Sequence, residues 1–523
     1  MKEKSCITRR AALAAAAALP LARTRALAQE AALPIGPGPF RGTRESLGGY
    51  TVPEWFRDAK FGIWAHWGPQ SAPEDGDWYA RNIYIQGSAQ YKFHLEHYGH
   101  PSKIGYKDVI PTFKAERWDP EHLMDLYVKA GAKYFFSMGV HCDNFDMWNS
   151  KYQPRWNAAK SGPRKDIVGT WKAAARKRGL RFGVSEHLSL SYDWLAPSHR
   201  ADQSGPLAGV PYDGADPAYA DLYHDYSGMP ADFAWKAQAM GRVAPDRWKL
   251  EYFNRVKDLI DQHQPDLLYT DGGIPFESYG LSLVAHLYNV SAARHRGKVE
   301  AVFTSKVRTD CENGTCALDV ERGIVDKIWP EPWQTDTCIG NWHYKKGIAY
   351  KTPKIVIDML ADVVSRNGNL LLNFPLPGSG ELDPEELKIL AAITGWMSVN
   401  GEGIYGTRPW RVYGEGPSTL PKPEHQGNMG FNERLRKDLT PQDVRFTSKG
   451  RTLYAFIMGW PEKAAAISSL GLKSEARPGK IHHVELLGHK GKLQWKQDDA
   501  ALTVHLPEEK PCEYAVTLKI ALG

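Results

Sequence analysis

From about residue 55 to residue 400 the chain alternates short β-like runs with longer amphipathic segments, and this alternation restricts the fold most. Strand candidates are Phe61–His66, Tyr134–Met138, Leu180–Ser185, Leu267–Asp271, Glu300–Thr304, Asp326–Trp329 and Leu370–Phe374. Helix-like stretches lie near 121–131, 166–178, 246–263, 276–294, 353–366 and 383–399. Asp119-Pro120-Glu121 is a helix-start signal and Gly131 a stop. In 250–260, Leu250, Phe253, Val256, Leu259 and Ile260 recur at helical spacing, predicting one buried stripe. Repeated β-then-α units imply a mainly parallel sheet, and seven or more in a single stretch predict an α/β fold of irregular (β/α)8 TIM type. A doubly wound open sheet is the alternative, but no G-x-G-x-x-G follows an early strand, so its nucleotide-binding version has no support.

After Trp410 the texture changes. Residues 411–445 are polar and rich in Pro and Gly, as in a linker. The short runs Arg451–Trp460, Ile481–Leu487, Lys492–Trp495, Leu502–Leu506 and Tyr514–Ile520 predict a small antiparallel β-sandwich. The expected organisation is therefore 29–410 for the barrel and 411–523 for linker and sandwich. Residues 1–28 are set apart. Lys2, Lys4, Arg9 and Arg10 precede the apolar run Ala11–Leu19, and Ala26-Leu27-Ala28 fits a small-x-small cleavage site. The paired Arg9-Arg10 suggests twin-arginine export, to the periplasm or beyond. The run is about half the ~20 residues a membrane span requires, so no span is expected.

Setting that segment apart changes the charge argument. It holds six Lys or Arg and one acid, so removing its +5 from the formal +6 leaves +1. No basic surface remains to suggest nucleic acid as a partner. Of the six cysteines, Cys6 lies in the leader. Cys311-Glu-Asn-Gly-Thr-Cys316 is spaced for a small disulfide in an oxidising compartment, with two reduced thiols as the alternative.

Catalytic groups of a (β/α)8 barrel sit at the C-terminal ends of its strands. Those ends supply His66, His141, Glu186 with His187, Asp271, then Lys306 and Arg308, then Asp319-Val-Glu321-Arg-Gly323. Taken singly, each has an ordinary structural role open to it. Gathered at one rim, these acids and imidazoles suit glycoside hydrolysis, which needs one ionised and one protonated carboxyl. Asp271 precedes Gly272-Gly273, where backbone and substrate can come close. Its bland alternative is a turn or helix-cap aspartate. Glu321 is the candidate acid, against a loop ion pair with Arg322, and Glu186 and Glu331 are the runners-up. Zinc hydrolysis is the rival chemistry, but H-x-H, H-E-x-x-H and paired C-x-x-C spacings are absent, so no metal or other cofactor is expected. No G-x-S-x-G elbow is present either.

Several segments together resemble the α-L-fucosidases of glycoside hydrolase family 29. They are Trp55–Gly68 (ending Trp64-Ala-His-Trp-Gly68), Gly76–Tyr84, Ala130–His141, Asp166–Gly169, Pro265–Gly272, Ser365–Asn373 and Val399–Trp410. The resemblance spans nearly all of 50–410 and implies an irregular barrel, a C-terminal sandwich and a retaining mechanism through a fucosyl-enzyme. It matches Asp271 to the nucleophile, Glu321 to the acid/base, His66 and His141 to histidines bonding sugar hydroxyls, and Trp78 to an aromatic lining the pocket. Lys306 or Arg308 matches a basic residue beside the nucleophile, with Arg308 assigned to substrate binding. The implied partner is a fucosylated oligosaccharide or glycoconjugate. One departure concerns the pocket: where the family often has His-His-Asp-Gly-Phe, this chain reads His141-Cys142-Asp143-Asn144-Phe145, and His187 is the candidate replacement for the missing imidazole. That change leaves open another sugar, such as L-galactose. A non-catalytic glycan-binding protein is the reading from a different class.

Overall fold

The computed structural model of the chain describes residues 33–241, 243–419 and 430–523; the expected leader, 1–28, lies outside the described residues. Eight parallel strands close into a barrel in chain order: β1 (Phe61–Ala65), β2 (Tyr134–Val140), β3 (Arg181–Glu186), β4 (Leu267–Thr270), β5 (Val302–Ser305), β6 (Ala317–Asp319), β7 (Trp333–Cys338) and β8 (Gly368–Asn373). Almost every residue of these strands is buried, as a sheet covered on both faces requires. The close approach of β1 and β2 depends on a glycine, because a Cβ on Gly62 would lie 2.3 Å from the Tyr134 ring. At Gly368 of β8 an added Cβ would meet the Trp333 indole at 2.6 Å. Gly62 makes room for the Tyr134 ring inside the barrel, and Gly368 for the Trp333 indole on the face packed against the helices.

Around the strands pack α1 (Pro120–Lys129), α2 (Ile167–Lys177), α3 (Asp246–His263), α4 (Ser278–Arg294), α5 (Pro353–Ser365) and α6 (Pro384–Asn400). The Asp119 side chain caps α1 by accepting from the His122 amide at 3.0 Å, and Asp383 with Glu386 forms a capping box on α6. The stripe on α3 holds for Phe253, Val256, Leu259 and Ile260, whereas Leu250 is 44% exposed. That helix also buries Arg255, which pairs with Asp146 at 2.6 Å and so ties α3 to the loop after β2.

Two strands differ from the sequence expectation. Asp326–Trp329 is not a strand; β6 and β7 flank it instead. The reason is composition, since β7 reads Trp-Gln-Thr-Asp-Thr-Cys and turns polar groups into the barrel interior, which masks it from a search for apolar runs.

The C-terminal part contains β9 (Arg408–Glu415), β10 (Val444–Lys449), β11 (Thr452–Ile457), β12 (Ala465–Ile467), β13 (Ile481–Leu486), β14 (Gln494–Gln497), β15 (Leu502–His505) and β16 (Val516–Leu522). They form two antiparallel sheets, ordered β13-β16-β11-β10-β9 and β12-β15-β14. Phe446, Ile457, Leu518 and Ile520 from the first meet Ile467, Leu502 and Val504 from the second in one apolar core, as in a sandwich. Strand β9 runs across position 410, so the chain enters this sheet before the expected boundary. Asp362 of α5 receives Arg366 of the barrel and both Arg436 and Arg445 of the C-terminal part. Trp396 of α6 donates to the Ala515 carbonyl at 2.8 Å, so the sandwich is bonded to the barrel wall.

Beneath the barrel, Lys60 enters β1 at φ 60° with its ammonium fully buried and no hydrogen-bond partner among the described residues. Burial, then repulsion from Arg408, pushes its pKa down to about 7. The unfolded chain holds that proton up to a pH of about 10.4, so stability rises with pH between these values. Lys60→Met should remove this slope and gain on the order of 3 kcal/mol at pH 7, with little gain at pH 10. Urea unfolding across that range checks it, and an unchanged slope would refute the assignment.

Candidate active site

The ends of β1, β2 and β3 project imidazoles into one space. His66 and His141 are 5.1 Å apart between ring centroids, and His187 stands 5.3 Å from the first and 4.7 Å from the second. His343, five residues beyond β7, completes the group at 4.5 Å from His66 and 4.9 Å from His141. All four rings are buried. Burial first, and then mutual repulsion, holds His66 and His141 well below the usual histidine range and brings His343 down to about 3. These three are therefore neutral at physiological pH, each offering one donor and one acceptor. The Gln70 amide nitrogen lies 2.8 Å from His141 Nδ1, which leaves Nε2 of that ring to carry the proton. Trp64 and Trp342 wall the space, with ring centroids 5.0 and 5.5 Å from His66.

Asp271 follows β4 directly and contacts His187 Nδ1 at 3.3 Å. Its other oxygen accepts from the Lys306 ammonium at 2.6 Å, and the same ammonium bonds Glu321. Burial favours a neutral Asp271, but Lys306 and His187 together outweigh it and hold this carboxyl well below the usual range. Glu321 moves the other way: burial raises its pKa, Lys306 opposes, and the Asp336 and Asp271 charges add to the rise. Two carboxyls on one ammonium are thus driven apart, one below its ordinary value and one above it. Both remain reachable, with 12% and 16% of their side chains accessible. The loop bearing Glu321 is held from the C-terminal part, since the Phe431 amide donates to the Glu321 carbonyl at 2.8 Å and the Glu433 amide to that of Arg322 at 2.9 Å.

The other candidates are placed differently. Arg308 is not in this cluster: its guanidinium is 58% exposed, pairs with Glu312 at 2.5 Å and lies over Trp329. Lys306, one residue beyond β5, takes the position beside Asp271 instead. The Glu186 carboxylate accepts from Thr270, from Tyr252 at 3.1 Å and from the Leu188 amide at 3.0 Å, which commits it to the barrel wall. Glu331 is 73% exposed and near Arg57. Arg322 turns from Glu321 towards Cys338, the Gly340 carbonyl and Glu433. Trp78 reaches the cluster through one intervening ring, 6.0 Å from Trp194, which is 5.8 Å from His141. His343 and Trp342 were missed in the sequence because they follow the strand whose polar residues hid it. The signal was present in Asn341-Trp-His343, an imidazole and an indole after a potential strand end.

The nitrogens of His66, His141 and His187 lie within 4.8 Å of one another, so these are the residues with the geometry to hold a metal ion. Among the described residues no helix is long and apolar enough to cross a membrane. Cys311 and Cys316 form a disulfide with a Cα separation of 4.7 Å.

A parallel barrel with two buried carboxyls on one ammonium and a group of neutral imidazoles at the C-terminal ends of its strands has the groups that a glycosidase-type site calls for. The α-L-fucosidase family model matches residues 27–402, and the model of the α-L-fucosidase C-terminal domain matches 436–521. The chain belongs to the α-L-fucosidase family and is a glycosidase. The human tissue α-L-fucosidase is 28% identical over 495 residues, covering 91% of this chain and 90% of the relative. A fucosidase of Branchiostoma floridae is 25% identical over 499 residues, covering 91% and 95%. The crystal structure of Thermotoga maritima α-fucosidase in complex with fucose shares the fold at TM-score 0.68 and 24% identity, over 92% of this chain and 99% of that one.

Because Lys306 is what keeps Asp271 ionised against burial, Lys306→Met should move the acid limb of the kcat/KM profile to higher pH and lower kcat/KM about 100-fold or more. A pH–rate profile on an aryl fucoside checks this. An acid limb left in place would show that another group sets the Asp271 charge.

Proposed function

We propose that this protein releases α-L-fucose from fucosylated glycans with retention of configuration, Asp271 acting as nucleophile and Glu321 as acid/base. The observation that carries this is the single Lys306 ammonium bonded to both carboxyls. Two hydrogen bonds to one nitrogen, each about 3 Å at most, keep the bonded oxygens within about 6 Å. That falls below the inverting range of about 6.5–9.5 Å and near the 5–5.5 Å of retaining enzymes. Asp271, ionised, attacks the anomeric carbon while Glu321 protonates the departing oxygen. Once Asp271 is esterified its charge is gone, repulsion on Glu321 falls, and Glu321 can take a proton from the water that hydrolyses the ester. His66 Nδ1 and His343 Nε2 are buried without a hydrogen-bond partner among the described residues, and His141 directs a donor into the same space. Such groups are costly unless a ligand's hydroxyls meet them. His187 then supplies the imidazole that the Cys142 substitution removes, and Trp78 lines the pocket one ring further out.

The basic start, apolar run and Ala26-Leu27-Ala28 support export, and the Cys311–Cys316 disulfide fits an oxidising compartment. Asp271→Gly should lower kcat on an aryl α-L-fucoside by at least about 1,000-fold while the fold persists. NMR of the reaction should show the α-anomer formed first. A first-formed β-anomer would overturn retention, and faster release from an aryl α-L-galactoside would overturn the choice of sugar. Dialysis against EDTA should leave the rate unchanged; loss of activity restored by zinc would favour the imidazole cluster as a catalytic metal centre.

A further inference from the structure

Directly under Lys306 the barrel interior holds a second pair of carboxyls that the mechanism above does not use. Asp319 ends β6 and Asp336 lies in β7, and both are buried, at 1% and 0% exposure. The β6–β7 register sets Asp319 beside Gln334, and Asp336, two residues on, points to the same face. Gln334 donates to Asp319 Oδ2 at 2.6 Å and accepts from the Tyr134 hydroxyl at 2.9 Å. The Tyr269 hydroxyl donates to Asp336 Oδ2 at 3.0 Å. One oxygen of each acid, Asp319 Oδ1 and Asp336 Oδ1, has no donor among the described residues. The two acids thus stand on neighbouring strands, facing one interior, each with an oxygen that no donor meets, and a proton held between them is the hydrogen that could satisfy both.

We propose that Asp319 and Asp336 share one proton, and that the single negative charge left on the pair keeps the acid proton on Glu321 between turnovers. Gln334 of β7 and, through it, Tyr134 of β2 are bonded to Asp319, and Tyr269 of β4, whose ring lies 5.3 Å from the Lys306 ammonium, is bonded to Asp336; Lys306 after β5 and Glu321 after β6 are the charged groups within electrostatic reach, with Asp271 bonded to Lys306 and His187 against Asp271. Lys306 is the only lysine or arginine among them. With two full charges on the pair, three carboxylates, counting Asp271, would crowd one ammonium. With none, Lys306 would be shared by Asp271 and Glu321 alone, and Glu321 would lose its proton more easily. Burial and the Asp336 charge drive Asp319 far above the carboxylate range, which agrees with Asp319 holding the proton. Asp336 and Asp319 also act on Lys306, so the pair lies within electrostatic reach of the site.

The link to Glu321 rests on its reading as acid/base; the shared proton does not. Infrared difference spectra between the full chain and its Asp319→Asn variant at neutral pH should show the loss of one protonated-carboxyl band, while the bands of other protonated acids, Glu321 among them, remain. Because an amide imitates a protonated acid, Asp319→Asn should leave the alkaline limb of kcat/KM within about 0.3 pH units of wild type. The double amide Asp319→Asn with Asp336→Asn should move that limb down by about one unit, the size expected for one charge at this range. An Asp319→Asn variant that loses no protonated-carboxyl band overturns the shared proton. A single variant that shifts the limb as far as the double, or a folded double variant that shifts nothing, overturns the tuning role. Glu321→Gln is measured alongside: an alkaline limb that survives it refutes the acid/base reading, and the infrared band still decides the pair.

Discussion

The Lys306 ammonium, held between Asp271 and Glu321, is the interaction on which the rest of the site depends. Burial alone would protonate both acids, because an isolated buried carboxylate is strongly disfavoured. A single cation cannot neutralise both, so the acid with the closer additional support, Asp271 with His187, is held below its ordinary value and Glu321 is pushed above its own. The division of labour between two chemically similar side chains is therefore set by what surrounds them. It also explains why a lysine serves here and Arg308 does not: a compact charge can touch two oxygens from different loops, whereas a guanidinium fork suits one planar partner.

That arrangement requires four loops to be held in fixed positions, and the fold supplies the restraint from two directions. Asp271 and Lys306 follow β4 and β5 within a residue or so, where the barrel hydrogen bonds still fix the backbone. Glu321 lies two residues beyond the short strand β6 and is less constrained by the barrel. Its backbone is secured instead by residues 431–433, whose amides and side chains bond the 321–324 loop. The C-terminal part thus holds the loop of the proposed acid, and the Asp362 cluster with Arg436 and Arg445 anchors the segment that does this.

Much of the architecture was legible in the sequence because it follows periodicity. The six long helices and six of the eight barrel strands lie where apolar spacing predicts. Asp271, Glu321, His66, His141 and His187 all meet at the rim that strand-end counting picks out. What periodicity could not reveal was β6, only three residues long, and β7, whose alternate residues are polar. Losing β7 concealed His343 and Trp342, which follow it, and so the fourth imidazole of the pocket. The choice between Lys306 and Arg308 was equally out of reach, since two residues of spacing decide whether a chain turning out of a strand end points inward or along the surface.

The polar character that hid β7 is itself functional in origin. An ordinary barrel interior of branched aliphatics would leave Lys306 with nothing beneath it but hydrocarbon. Here Gln334, Asp336 and Asp319 are linked to Tyr134 and Tyr269, and they form a polar layer that spans the barrel below the ammonium. Buried polar groups of this kind cost stability unless every member finds a partner. The two oxygens without donors are the exception, and a proton between them completes the layer. The same residues that break the rule for a barrel strand therefore satisfy a rule for an active site, in which fixed charges in a low-dielectric setting govern proton affinity.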